Sequence, residues 1–500
     1  MDALQQLGSG FAAALTPQNV LFAVIGCFLG NLVGLLPGIG PAGGMAMLLP
    51  ITSQLPTAGA IIMLAGIYYG SQYGGTITSV LMNIPGEAST VVTCFDGFPM
   101  AKKGRAGVAL SIAAVGSFIG GTIATIGLVF AAPPMVEMAL KFGPAEQFAL
   151  MLLGLSFVMA LAGRSLVKAL IMGVFGLLMA LVGMDPTVGM PRFTFGQADL
   201  LSGLDLVAVV MGLFGVADIL ESLEKTAHPV IHAQIASLMP TRQDIKDSSW
   251  PVVRGTAIGF FLGLIPGMAQ ALATFISYAV EKKLSRHPEK FGTGAVEGVA
   301  GPETSNNAFA NASLIPLFTL GLPTNVIIAV LMGAFLMHGV IPGPLLFREH
   351  PEIIWPVIAS LYIGNVILLV LNLPLISLWV MILRIPYTIL CVAILIFTAI
   401  GAYSVTGTSF GVGVMVLFGV IGYVLRKLDF PLAPVMLTFI LGPMMERALR
   451  ASLQLSLGNF SIMWTSPISK VLLAMAVLMI LSSGLKLLPG STGPAHRDDG

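Results

Sequence analysis

The sequence predicts an all-α polytopic membrane protein built from two inverted-topology repeats that carry re-entrant hairpins or broken helices. Three observations lead there. Of 500 residues, 56% are hydrophobic and only 9% charged, at a mean hydropathy of +0.94, whereas a soluble domain carries about 25% charged residues. Apolar runs of about 20 residues, long enough to cross a hydrocarbon core of roughly 30 Å, recur along nearly the whole chain. One pattern of glycine, proline and small polar residues also occurs twice, over 34–87 and again over 263–325. A membrane β-barrel would show alternating segments of about 10 residues, and these runs are continuously apolar.

Taken in order, the N-terminus has neither a basic n-region nor a small-residue cleavage site, so the first apolar run, 18–36, is expected to be a retained helix. Further spans fall at 58–82, 106–132, 145–163, 166–184, 203–222, 253–268, 325–346, 353–383, 387–405, 409–427, 431–449 and 466–489. Apolar pieces at 42–51, 271–280 and 311–320 are too short to cross alone and read as hairpins or half-helices. The polar stretch 221–254 divides the chain into a first repeat, 1–222, a cytoplasmic linker, 223–252, and a second repeat with a C-terminal helix, 253–500. The net charge of +1 gives no reason to expect nucleic acid. Cys27, Cys94 and Cys391 lack ligand spacing and read as buried thiols.

The duplication carries the most information. GLLPGIGP (34–41), YYGSQYGGTITS (68–79) and NIPGE (83–87) answer to GLIPGMAQ (263–270), AGPETSNNAFANAS (300–313) and GLPTN (321–325). Pro37 pairs with Pro266, Gly70 with Gly301 and, more loosely, Asp185 with Asp429. Basic residues fall on one member of each equivalent loop pair. Lys102, Lys103 and Arg105 face a counterpart near 339–351 that has only Arg348, and Lys282, Lys283, Arg286 and Lys290 face an uncharged 52–57. Parallel repeats would make both members basic, so the repeats are expected to be inverted.

Breaking a helix inside a bilayer exposes backbone groups that lipid cannot satisfy, so such breaks persist where protein, water or a ligand covers them. Half-helix ends offer amides to anions and carbonyls to cations. Ser71, Gln72, Thr76, Thr78, Ser79 and Asn83 add neutral donors and acceptors in the first half, and Ser305, Asn306, Asn307, Asn311, Thr324 and Asn325 do so in the second. This oxygen-rich set suits a hard cation such as sodium. Isolated Gly116, Gly120 and Gly121 read as helix-packing positions. Glu87 and Asp96 read as solvated loop caps, and Glu303 as the best intramembrane carboxylate. No HExxH, GxSxG or His/Cys/Asp constellation lies in the apolar spans, so no catalytic residue, metal centre or resident cofactor is expected and the chain does not read as an enzyme. Paired breaks favour alternating access over a passive channel or a structural scaffold.

The motifs quoted above, with FDGFPMAKKGRAG (95–107), resemble the large membrane subunit of the bacterial tripartite tricarboxylate transporters, the TctA family, over about 20–486. The resemblance implies a secondary active transporter of the inner membrane that works with a small four-helix membrane subunit and a periplasmic solute-binding protein. It would import di- or tricarboxylates such as citrate with cation coupling, sodium first among the candidates. The alternative is a stand-alone sodium:carboxylate symporter. An elevator-like architecture and a homodimer follow by analogy. On this reading Gly38, Gly40, Thr76, Ser79, Asn83, Gly86, Asn311, Thr324 and Asn325 are expected to bind substrate, and Gly74, Thr78, Ser305, Asn306 and Asn307 the cation. Ser305, Asn306 and Asn307 are similar to the Ser-Asn-Thr-like hairpin tips of wider relatives, whereas the first half has Thr76, Ile77, Thr78 and Ser79 there.

Overall fold

A computed structural model describes residues 3–36, 40–161, 165–185, 187–224, 238–383 and 387–485. Pro37 and Gly38, and residues 225–237 of the expected linker with His228 and His232, lie outside the described residues.

Helices dominate. The first half contains α1 (Ala3–Ala14), α2 (Pro17–Leu35), α3 (Pro41–Thr52), α4 (Thr57–Met82), α5 (Val91–Lys102), α6 (Ala106–Ala139), α7 (Pro144–Leu161) and α8 (Leu166–Ala180). A two-stranded antiparallel hairpin, β1 (Gly183–Met184) with β2 (Pro191–Arg192), leads to α9 (Leu206–Val210), a π-helical turn (Met211–Val216) and α10 (Ala217–Glu224). The second half contains α11 (Arg242–Gly263), α12 (Gln270–Leu284), α13 (Glu297–Ala312), α14 (Leu314–Leu320), α15 (Val326–Met337), α16 (Leu346–Glu349), α17 (Pro351–Asn372), α18 (Ile376–Ile382), α19 (Tyr387–Thr406), α20 (Ser409–Lys427), α21 (Leu432–Leu455) and α22 (Pro467–Leu485). Seven helical stretches among the described residues are long and apolar enough to cross a membrane, and many large apolar side chains face outward, as lipid contact requires.

Most boundaries match the hydropathy reading, and the exceptions have local causes. Residues 95–102 belong to α5 rather than a loop, and the helix ends at Lys102 before Gly104 (φ 76) turns the chain. The expected span 353–383 is two helices, α17 and α18, and the Trp379 Nε1–H bridges the break by donating to the Leu371 carbonyl at 2.8 Å. α11 starts at Arg242, where Thr241 and Asp244 cap it reciprocally.

Two glycine-lined helix pairs form the centre. Gly26, Gly30 and Gly34 of α2 recur every four residues, so they share one face. A Cβ at these positions would lie 2.2, 2.5 and 2.1 Å from the carbonyl oxygens of Met63, Ile67 and Ser71. On α11, Gly255, Gly259 and Gly263 lie in the same way on Gly301, Ser305 and Phe309, at 2.3, 2.2 and 2.7 Å. In each pair both helices run in the same direction, with a shorter helix, α3 or α12, returning between them. This packing sets Gly301 in the place of Met63, not of Gly70 as the sequence pairing has it.

The same packing keeps the polar motifs helical. YYGSQYGGTITS lies inside continuous α4, because Gly70 and Gly74 press on the backbone of Cys27 and Asn31 and so compensate for their low helix propensity. The 300–313 motif lies in α13 up to Ala312, and Pro302 is accommodated six residues into the helix without ending it. The non-helical segments are 83–87, 264–269 and 321–325, together with the described ends of the α2–α3 connection. Cys27 is buried and Cys94 only half-buried, while the Cys391 side chain lies outside the description.

Candidate functional site

Two loops of matching backbone flank the centre. α4 stops where Asn83 turns left-handed (φ 57), a conformation asparagine tolerates, and the extended Glu87 (φ −149) then starts a single 3₁₀ turn over Ala88–Thr90 by reciprocal capping with Thr90. In the second half Gly321 (φ 68) ends α14, and the extended Asn325 (φ −151) accepts the Ile328 N–H at 3.0 Å to start α15.

Between these loops α4 and α13 cross in opposite directions, with Tyr68 beside Ser313 and Thr76 beside Glu303. Gln270, the first residue of α12, bridges them. Its Nε2 lies 2.9 Å from Gln72 Oε1, 2.7 Å from Asn306 Oδ1 and 3.0 Å from the Asn306 carbonyl. Asn306 Nδ2 in turn donates to Glu87 Oε1 at 3.5 Å, and that oxygen accepts the Ser89 hydroxyl at 2.5 Å. Glu87 is therefore a half-buried cap tied to the second half, not a solvated one.

A second network lies deeper. Glu303 is 1% exposed and its carboxylate accepts the hydroxyls of Thr76, at 2.7 Å, and Thr93. The Asn307 amide donates to Ser117 Oγ of α6 at 2.7 Å, and Asn311 lies 3.3 Å from the Thr125 hydroxyl that donates to it. Gly116 and Gly120, read from sequence as packing positions, lie directly on Thr304.

The structure gathers some expected residues and disperses others. Asn306 belongs to the first network, and Thr76, Asn307 and Asn311 to the second. Thr78 and Ser79 donate back to the Gly75 carbonyl, Ser305 donates to the Ala273 carbonyl, and Gly74 packs against Asn31. Gly40 caps α3, Gly86 lies against the Gly34 carbonyl, and the Thr324 hydroxyl donates to the Ser313 carbonyl. Gly38 falls outside the described residues.

Sequence reading passed over three features. Gln270 closes a quoted motif yet was assigned no role. Asp96, expected at a solvated loop, is fully buried in α5 and accepts the backbone N–H groups of Gly292, Gly294 and Ala295 at 2.7–2.9 Å and the Tyr278 hydroxyl at 2.9 Å. It thereby fixes the turn that launches α13. Asp218 of α10 pairs with Arg426 of α20 while its other oxygen lies 2.6 Å from where a Gly43 Cβ would be, so a carboxylate and a cation stand at the start of α3.

A cavity of about 450 Å³ borders Leu320 and Gly321 and is edged by Gln147, Glu349 and His350. No cluster of three or more His, Cys, Asp or Glu able to hold a metal occurs among the described residues. The centre therefore offers amide, hydroxyl and carboxylate oxygens with amide donors, contributed jointly by both halves.

Comparison with known proteins agrees with this membrane architecture. Residues 20–437 match the family described as tripartite tricarboxylate transporter TctA. An uncharacterised 52.8 kDa protein from the TAR-I ttuC' 3' region of Agrobacterium vitis is 47% identical over 490 residues, covering 98% of this chain and 97% of that protein. An uncharacterised protein from the TAR-II ttuC' 3' region of the same organism is 46% identical over 231 residues, covering 46% of this chain and 94% of its own length. No solved structure matches. With a family match that covers most of its length and, among the described residues, seven helices able to cross a bilayer, this multi-pass membrane protein belongs to the TctA family of tripartite tricarboxylate transporters.

Proposed function

We propose that this chain is the carboxylate-translocating subunit of its tripartite system, importing di- or tricarboxylates such as citrate across the bacterial inner membrane with sodium as the coupling ion. The observation that carries the reading is the Gln72–Gln270–Asn306–Glu87 network, built by both halves where α4 and α13 cross. Amide donors there suit substrate carboxylates, and the surrounding oxygens suit sodium. The cation offsets the anion, whose uncompensated charge in the membrane costs several kcal/mol.

The opposite directions of α4 and α13, and the matching glycine-lined pairs, support two inverted repeats, 1–222 and 253–500, joined by a cytoplasmic linker over 223–252. Movement of the motif-bearing helices against the remaining helices then exposes the site to either side, and homodimerisation would anchor the static part. The substrate-binding set is centred on Asn83, Gly86, Thr324 and Asn325 of the two loops, with the cation set around Asn306 and Asn307. A binding protein delivers substrate at the outer face, and a small membrane subunit completes the assembly.

Reconstitution tests this directly. Uptake of radiolabelled citrate and other di- and tricarboxylates is expected only when the small subunit and the binding protein accompany the chain. Equal uptake by the chain alone would instead indicate a stand-alone symporter.

A further inference from the structure

Beside the second network lies a small cavity of about 10 Å³, room for one occupant the size of a water molecule. Its walls include Tyr73 and Thr76 of α4, Ser117 of α6 and Asn372, the last residue of α17. Three polar atoms here stand out. Tyr73 Oη and Asn372 Oδ1, both on residues 3% exposed, have no hydrogen-bond partner. Asn307 Oδ1 has none either, although Asn307 Nδ2 is engaged by Ser117 Oγ in the cavity wall. The Asn372 amide is oriented by its Nδ2, which donates to the Leu368 carbonyl at 2.8 Å, so the unpaired oxygen is left for the cavity. A buried acceptor without a donor costs about 1–3 kcal/mol, and in a close-packed centre such atoms call for an occupant.

The charge beside the cavity indicates which occupant. Glu303 reaches the wall through Thr76, and its carbonyl oxygen accepts the Ser117 hydroxyl at 3.3 Å. No ion pair to its carboxylate is present among the described residues, and both carboxylate oxygens are held by hydroxyls alone. A proton on Glu303 would neutralise that charge but leave the amide oxygens of Asn372 and Asn307 unsatisfied. A monovalent cation answers both needs, and an all-oxygen set with a single carboxylate suits sodium rather than a divalent or transition metal.

We propose that the pocket lined by Tyr73, Thr76, Ser117 and Asn372, with Asn307 behind Ser117 and Glu303 behind Thr76, is a sodium site, separate from the Gln270–Asn306 network. It rests on the reading of the chain as a sodium-coupled carrier and locates one of its ions. Because its lining oxygens come from α4 and α6 of the first half and α17 of the second, with Glu303 of α13 held by Thr76, sodium here ties the two halves together.

Thermal unfolding of the full-length chain in detergent tests the site without partners or transport. The midpoint is expected to rise with the logarithm of sodium concentration at constant ionic strength, with potassium or choline as the balancing ion. Glu303→Gln keeps the shape and the threonine contacts but removes the charge, and is expected to abolish the sodium response. Tyr73→Phe deletes one ligand oxygen and is expected to raise the half-saturating sodium concentration about five- to tenfold. A wild-type midpoint indifferent to sodium means a pocket holding water only, and overturns the proposal. A sodium response that persists unchanged in Glu303→Gln, or in Tyr73→Phe should Glu303→Gln not fold, overturns this location while leaving sodium-coupled transport standing, which uptake measurements decide independently.

Discussion

Asp96 is buried where a solvated loop cap is expected, and Asp185 is held by a distant arginine. Asp96 gathers three backbone N–H groups that have no alternative partner in the turn before α13. Asp96→Ala strands them and is expected to cost about 3 kcal/mol, measured by denaturant unfolding in detergent micelles. Asp185 sits outside the spans, on the β1–β2 hairpin, and its bond to Arg450 together with the N–H groups of Thr187 and Val188 lowers its pKa to about 2. A carboxyl depressed in the folded state stabilises fully above its unfolded pKa, near 3.9, and loses that contribution as pH falls through about 2. A thermal midpoint followed from pH 5 to pH 2 is therefore expected to fall less steeply in Asp185→Asn than in wild type. Neither role was legible in the sequence, because the partners of Asp96 lie almost 200 residues away and Arg450 lies 265 from Asp185.

At the scale of elements, hydropathy located most of the long helices, because lipid demands long apolar runs whatever the packing, but passed over α1, α5 and the polar α13. It could not separate α17 from α18, since Leu373, Pro374 and Leu375 interrupt the helix without interrupting the apolar run. The duplicated motifs were visible, but their role was divided: the glycines bring helices together, while the loops at 83–87 and 321–325 make the breaks. Gly259→Ala would place a Cβ 2.2 Å from the Ser305 carbonyl oxygen, so α11 and α13 must separate. A loss of about 1–3 kcal/mol is expected, as for other overpacked positions. Gly413→Ala, in α20 with nothing within 4 Å of its Cβ, is expected instead to stabilise by about 0.5–1 kcal/mol through helix propensity. Paired thermal melts of the two variants separate close approach from any general sensitivity to glycine replacement.

For the whole molecule, the membrane class and the family could be read from composition and motifs, and Asn306 and Asn307 from their polarity in an apolar setting. The joining of Asn306 to Glu87 and Gln72 through Gln270 could not, because it depends on how the two halves cross. That crossing places the proposed carboxylate and cation ligands in adjoining networks shared by both halves, so the two transports are expected to be coupled. The most direct test is the initial rate of carboxylate uptake into proteoliposomes holding the chain, its small subunit and its binding protein, with and without an inward sodium gradient. Uptake is expected to require the sodium gradient and to slow about tenfold or more in Asn306→Ala, equivalent to at least about 1.4 kcal/mol of lost stabilisation. Equal uptake when choline replaces sodium, unchanged in Asn306→Ala, would contradict sodium-coupled carboxylate transport through this centre.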